Sequence, residues 1–221
     1  MFHAFFRTFR QLGDPAFRGL VARGIGLAIG AMVCLWMLAW FLLHETTLFE
    51  IGWLEGLIDI GGFAAVLVLT VLLFPAFATL SLSFFLEDVL AAIERRDYPN
   101  LPTPRSQGFV EILVMTAKFT GILIVLNLLV LPLYFLPILG AVPFLLINGY
   151  LLGREYSELV ASRRLDPAGV KAFRARHGGS IFAAGMMITA LSTIPGLNLA
   201  APALGAALML HLFERLREKT A

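Results

Sequence analysis

Four long stretches without a single charged residue constrain this chain more than any other feature. Gly24 to Leu43 covers 20 residues, Ile60 to Leu86 covers 27, Phe119 to Gly153 covers 35 and Gly178 to Leu210 covers 33. A membrane-crossing helix needs roughly 20 apolar residues at about 1.5 Å each, so every one of these runs has at least that length. Composition agrees. The 221 residues are 59% hydrophobic and 14% charged, against about 45–50% and about 25% in soluble domains. A soluble core of this size cannot hide so much apolar surface, which makes the bilayer the expected solvent. One cysteine excludes a disulfide framework and a thiolate metal cage. A net charge of +2 argues against nucleic acid held by bulk charge.

The first two runs read as single spans, the second with room to tilt and with Pro75 as a kink. The other two are broken, one by Pro132, Pro137, Gly140 and Pro143, the other by Pro195, Gly196 and Pro202. Each is too long for one straight helix across a ~30 Å hydrocarbon core and shorter than the ~40 residues two full spans require. They read as helical hairpins that cross part-way, or as pairs of short tilted helices. Their bends should face protein, from this chain or another subunit, because lipid cannot satisfy the freed backbone groups. The expected fold is therefore all-α, with two long transmembrane helices, two Pro/Gly-broken, partly inserted hairpins and an N-terminal amphipathic helix, in one membrane domain over residues 1–221.

Charge sets the expected orientation. Residues 44–59 carry Glu45, Glu50, Glu55 and Asp59 and no lysine or arginine, while all 17 basic residues lie in the other four polar stretches. The positive-inside tendency places those stretches in the cytoplasm and the acidic loop outside; six full spans would satisfy the same count. Residues 1–12, MFHAFFRTFRQL, space Phe2, Phe5, Phe6 and Phe9 for an interfacial helix rather than a cleaved signal. The second span should continue as helix through Arg96. Pro99, Pro102 and Pro104 then enforce an extended linker before a helix near Phe109, and another helix is expected around Asn148–Arg163.

No residue set points to catalysis or a cofactor. His3, His44, His177 and His211 are scattered without metal-ligand spacing. Cys34 reads as packing, and Ser81, Ser83 and Ser192 as bonding their own helix backbones. Gly26 and Gly30 form a G-x-x-x-G that would admit a close helix, within the subunit or between subunits. Asn127, Asn148 and Asn198 should hydrogen-bond across helices at the bends, and Arg154 with Glu158 reads as an i, i+4 ion pair or, alternatively, a gate.

The segment L12-G13-D14-P15-A16-F17-R18-G19 carries the most chemistry. Asp14 suits an N-cap and Pro15 the first helical position. The first turn then exposes backbone N–H groups at the positive end of a helix dipole, and Arg18 adds a fork matched to sulfate or phosphate oxygens. Arg18 meeting a lipid phosphate, with Asp14 taking the amides itself, accounts for the same residues.

With D-P-A-F-R before the first span, LLINGYLLGREY at 145–156 and IPGLNLAAPALGAA at 194–207, the chain resembles the CysZ sulfate permease family, which includes the etoposide-induced protein relatives. The likeness runs through essentially the whole chain. It implies an oligomeric helical permease of the inner membrane that takes sulfate into the cytoplasm for cysteine synthesis. It also implies an oxyanion site at a Gly-apolar-Arg-Arg turn, here Ala16, Phe17, Arg18 and Gly19, with Phe17, Arg18 and Gly19 as substrate-binding residues. Gly19 stands where the second arginine would be, which removes a charge-assisted pair worth about 1.5–3 kcal/mol; Arg23 could replace it only if the chain folded back. The alternatives are a non-transporting membrane scaffold of the same fold and a channel for another small anion.

Overall fold

The computed structural model describes residues 7–8, 10, 13–45, 61–62, 64–68, 70, 74, 77–78, 80–82, 84–132 and 141–218. Six helices are bounded within them: α1 Pro15–Glu45, α2 Leu86–Asp97, α3 Phe109–Val130, α4 Ala141–Ala161, α5 Pro167–Ser192 and α6 Leu197–Glu218. Arg7, Thr8 and Arg10 are also helical, as are the described positions between 61 and 82. No strand occurs among the described residues. The remainder of the expected amphipathic helix, the acidic loop from residue 46 onward, Pro75 and the bend at 133–140 lie outside them.

Among the described residues, three helices are long and apolar enough to cross a membrane: Phe17–Phe41 within α1, all of α3 and all of α6. Their surroundings differ sharply. On α1 the buried positions Phe17, Leu20, Gly24, Ala28 and Met32 make one helical stripe, while Ile29, Val33, Met37 and Trp40 are exposed. The stripe meets described helical positions between 61 and 82. Gly24 lies against Leu82, where an added Cβ would come within 2.9 Å of Leu82 Cδ1, and Trp36 Nε1 donates to Thr70 Oγ1 at 2.6 Å. Higher numbers on α1 meet lower numbers on the partner, so the two run antiparallel. Nothing among the described residues approaches Gly26 or Gly30. The G-x-x-x-G of α1 thus faces away from this contact, and Gly24 makes the close approach in its place.

On α3 no residue is buried, and apolar side chains cover the helix on every side. α6 is the reverse: Ala201 through Glu214 are all buried. Its small residues let α4 and α5 come close; a Cβ on Gly205 would sit 3.0 Å from Tyr156 Cζ. α4 and α5 approach closest of all. A Cβ on Gly185 would fall 1.8 Å from the Gly149 carbonyl oxygen and 2.6 Å from the Gly153 nitrogen, so only glycine fits.

Local chemistry sets the helix ends. α1 begins at Pro15 as the Asp14-Pro15 pair predicts. The second run does not continue unbroken into the polar region: Phe84 and Phe85 form a turn, and α2 starts afresh at Leu86. Glu87 and Asp88 in its first turn and Arg95 and Arg96 in its last complement the helix dipole. Residues 101–108 are extended under Pro102 and Pro104, and α3 opens at Phe109. α4 starts at Ala141, earlier than expected. Asp166 caps α5 by accepting from the Gly169 N–H at 2.8 Å, with Pro167 in the first position. α5 kinks at His177 (φ −116°, ψ 20°), beside Gly178 and Gly179. Gly196, at φ +83°, supplies the left-handed residue that turns α5 into α6. The exposed turn 193–196 has no cover from the described residues of this chain.

The helix pairs are longer than the charge-free runs. α3 and α4 have 22 and 21 residues, about 33 and 32 Å at 1.5 Å per residue. α3 takes in Glu111 and Lys118, and α4 carries Arg154, Glu155 and Glu158 in its last turns.

Candidate anion site and the charges around it

The sequence-derived residues Phe17, Arg18 and Gly19 sit together on the first turns of α1 and differ in what they offer. The Phe17 side chain is 3% exposed and belongs to the central apolar cluster, so only its backbone faces a ligand. Arg18 is exposed. Its N–H donates to the Asp14 carbonyl at 2.9 Å, closing the first helical ring. Gly19, a residue further, stands inside the helical ladder. The N–H groups that the ladder leaves without an intrahelical partner are therefore those of Ala16 and Phe17. Gly19 is exposed, and a Cβ there would meet nothing within 4 Å. Arg23 does not return toward Arg18. The chain stays helical throughout, which places Arg23 about 7.5 Å along the axis and about 140° around it.

Other charges reach this end of α1 from distant segments. Arg96, at the end of α2, forms an ion pair with the Asp14 carboxylate, screening the acid that opens α1. Beside this pair, Arg7, Arg10, Arg96 and Asp97 line a cavity of about 190 Å³. Next to it the Tyr98 hydroxyl and His211 Nδ1 are 2.9 Å apart, and His211 Nε2 lies 3.7 Å from Asp97. Burial raises the Tyr98 hydroxyl above its usual pKa, and Arg7 works against that shift.

A buried ionic knot ties the 162–165 connection to α2. Arg163 grips Glu94 with two parallel bonds, Nε to Oε1 at 3.0 Å and Nη2 to Oε2 at 2.9 Å. Arg164 Nη2 reaches Glu94 Oε1 at 3.1 Å, and Arg163 also pairs with Glu87. Arg163 and Glu94 side chains are 6% and 9% exposed. Their attraction holds because the fork geometry satisfies both carboxylate oxygens. A second cavity of about 440 Å³ opens here, with Glu87, Arg105, Glu158 and Arg163 in its wall. Its charges are of mixed sign and already paired, Arg105 with Glu111 and Arg174 with Glu158 at 2.5 Å.

Several motif readings resolve against this geometry. Arg154 is 3.9 Å from Glu158, whose closer partner is Arg174 of α5; the cluster ties α4 to α5. Among the described residues, Asn127 and Asn148 bond within their own helices rather than across helices. Each amide donates to a carbonyl one turn back in its own helix, Leu123 at 2.8 Å and Phe144 at 2.9 Å. Ser192 likewise bonds its own helix at Ile188. Sequence reasoning missed Arg96 as a partner of the α1 start and Glu94 as the centre of the knot. Both are visible as charges at the ends of α2, but nothing in the sequence says what they face.

Apolar helices bare to the outside and a packed helical core define a helical membrane protein. Residues 4–202 match the family described as Sulfate transporter CysZ/Etoposide-induced protein 2.4, and the chain belongs to that family. No curated protein matches it.

Proposed function

We propose that this chain is a sulfate permease or channel that admits sulfate to the cytoplasm for cysteine biosynthesis, and not an enzyme. The observation that carries the reading is Arg18: an exposed guanidinium on the first turn of an apolar helix, at the end where the helix dipole is positive, in a chain of this family. Sulfate docks where the helix dipole is positive, with Arg18 as its main charge contact, the Ala16 and Phe17 N–H groups as donors and Gly19 leaving the approach open. The basic segments, the Arg18 turn among them, lie on the cytoplasmic face of an inner membrane, and the helix pairs α3–α4 and α5–α6 insert from that side as hairpins. The exposed apolar surface of α3 and the exposed 193–196 turn suit a homo-oligomer in which neighbouring copies and lipid cover them.

Uptake of labelled sulfate into proteoliposomes tests the proposal. The native chain accumulates sulfate and Arg18→Ala falls to the level of empty vesicles; equal uptake by both removes Arg18 from the mechanism. Gly19 favours a second reading, a scaffold that keeps the fold without the anion site. In that case sulfate leaves the heat-unfolding midpoint in detergent unchanged, whereas a true site raises it by mass action. A different rank order among anions indicates a channel for another small anion.

A further inference from the structure

The cavity lined by Arg7, Arg10, Arg96 and Asp97 uses none of the side chains of the Arg18 site. Three of its four lining side chains are guanidinium groups. Arg7 and Arg10 are three apart on one helical segment, so they share a face. Between them Thr8 is 1% exposed, which anchors the segment and holds the two arginines at the cavity. Arg7 lies against the Tyr98 hydroxyl, and Arg96 is shared with Asp14 and Asp97. Like charges gathered this closely repel one another, and packing alone does not reward their convergence. A bound anion would.

The volume, about 190 Å³, exceeds the roughly 30 Å³ that one water occupies in the liquid, so the space admits a hydrated polyatomic anion. Planar forks reaching in from two chain segments match a tetrahedral group with several negative oxygens better than a spherical halide. We propose that this cavity is a second oxyanion-binding site, built by Arg7, Arg10 and Arg96, that takes a sulfate or phosphate group. That chemistry has two sources here: a free anion, or the phosphate of an anionic lipid headgroup, because the arginines stand just before the first apolar helix, at headgroup level. Asp97 opposes a dianion and sets an upper limit on affinity.

The test measures bound labelled sulfate per protomer in neutral detergent, in an Arg18→Ala background so that only the cavity is read. Saturable binding is expected to survive Arg18→Ala and to weaken at least tenfold when Arg7→Gln and Arg10→Gln are added. Arg10→Glu alone, at an exposed position that leaves packing intact, weakens it as far or further. Repetition in nanodiscs of phosphatidylcholine, with and without phosphatidylglycerol, separates the sources. If phosphatidylglycerol displaces sulfate from the Arg18→Ala chain, the occupant in the membrane is a headgroup phosphate; if sulfate binds equally in both, it is the free anion. The proposal is overturned if the Arg18→Ala chain binds neither sulfate nor phosphatidylglycerol, or if removing Arg7 and Arg10 changes neither. Loss of uptake in Arg18→Ala with cavity binding intact separates this site from the transport site.

Discussion

Two short motifs recur among the described residues, once in the α1 half and once in the α4–α6 half, and their surroundings differ. Asp-Pro-Ala opens α1 at Asp14 and α5 at Asp166. Asp166 turns inward on its own helix and takes the Gly169 N–H at 2.8 Å. The Asp14 carboxylate is met by Arg96, 82 residues away. Gly-x-x-x-Gly occurs at Gly26 and Gly30 and again at Gly149 and Gly153. The second copy lies under Gly185 of α5 at a separation that excludes even one added carbon, while the first faces open space. The glycine pattern thus closes α4 on α5, while on α1 no described residue approaches it. The lesson is that a motif states what a backbone can do, and the neighbouring element decides whether it does so.

The glycines give the largest test of that contrast. Gly185→Ala should force α4 and α5 apart and leave little monodisperse protein in size-exclusion chromatography, whereas Gly26→Ala should behave as the native chain in the same run. Equal behaviour of the two variants would erase the distinction between the halves. The ionic knot comes next. Glu94→Gln leaves Arg163 and Arg164 buried beside a neutral amide, and removing one partner of a buried pair costs about 3–5 kcal/mol, readable as a lowered heat-unfolding midpoint in detergent.

Gly19→Arg sharpens the comparison from the open half. Its Cβ meets nothing, so the fold should tolerate it, and a second guanidinium worth about 1.5–3 kcal/mol should tighten sulfate binding roughly tenfold or more in a thermal-shift titration. No change would mean that the anion does not sit at the α1 start. The smallest effect belongs to the closed half. Asp166→Ala removes one cap bond, about 1 kcal/mol, and should lower the unfolding midpoint slightly without touching sulfate binding.

The membrane environment, the all-helical class, the start of α1 at Pro15, the extended proline linker and the helix from Phe109 were all legible in the sequence. Each follows from a property of one segment: charge density, periodicity, or the missing N–H of proline. The charge-free stretches understate the helices, which run on past them, through Glu111 and Lys118 in α3 and into Arg154–Glu158 in α4. A helix ends where its backbone loses partners, not where its side chains become polar.

At the candidate site, Phe17, Arg18 and Gly19 were readable as a helix opening, because capping chemistry acts over four residues. That Arg96 answers Asp14, and that Arg7 and Arg10 join Arg96 around one cavity, were decided only when α2 packed beside α1. Charge pairing depends on distances of a few ångströms between segments many residues apart. The order of amino acids sets which charges exist and which helix end carries them; only the packed chain sets which of them meet.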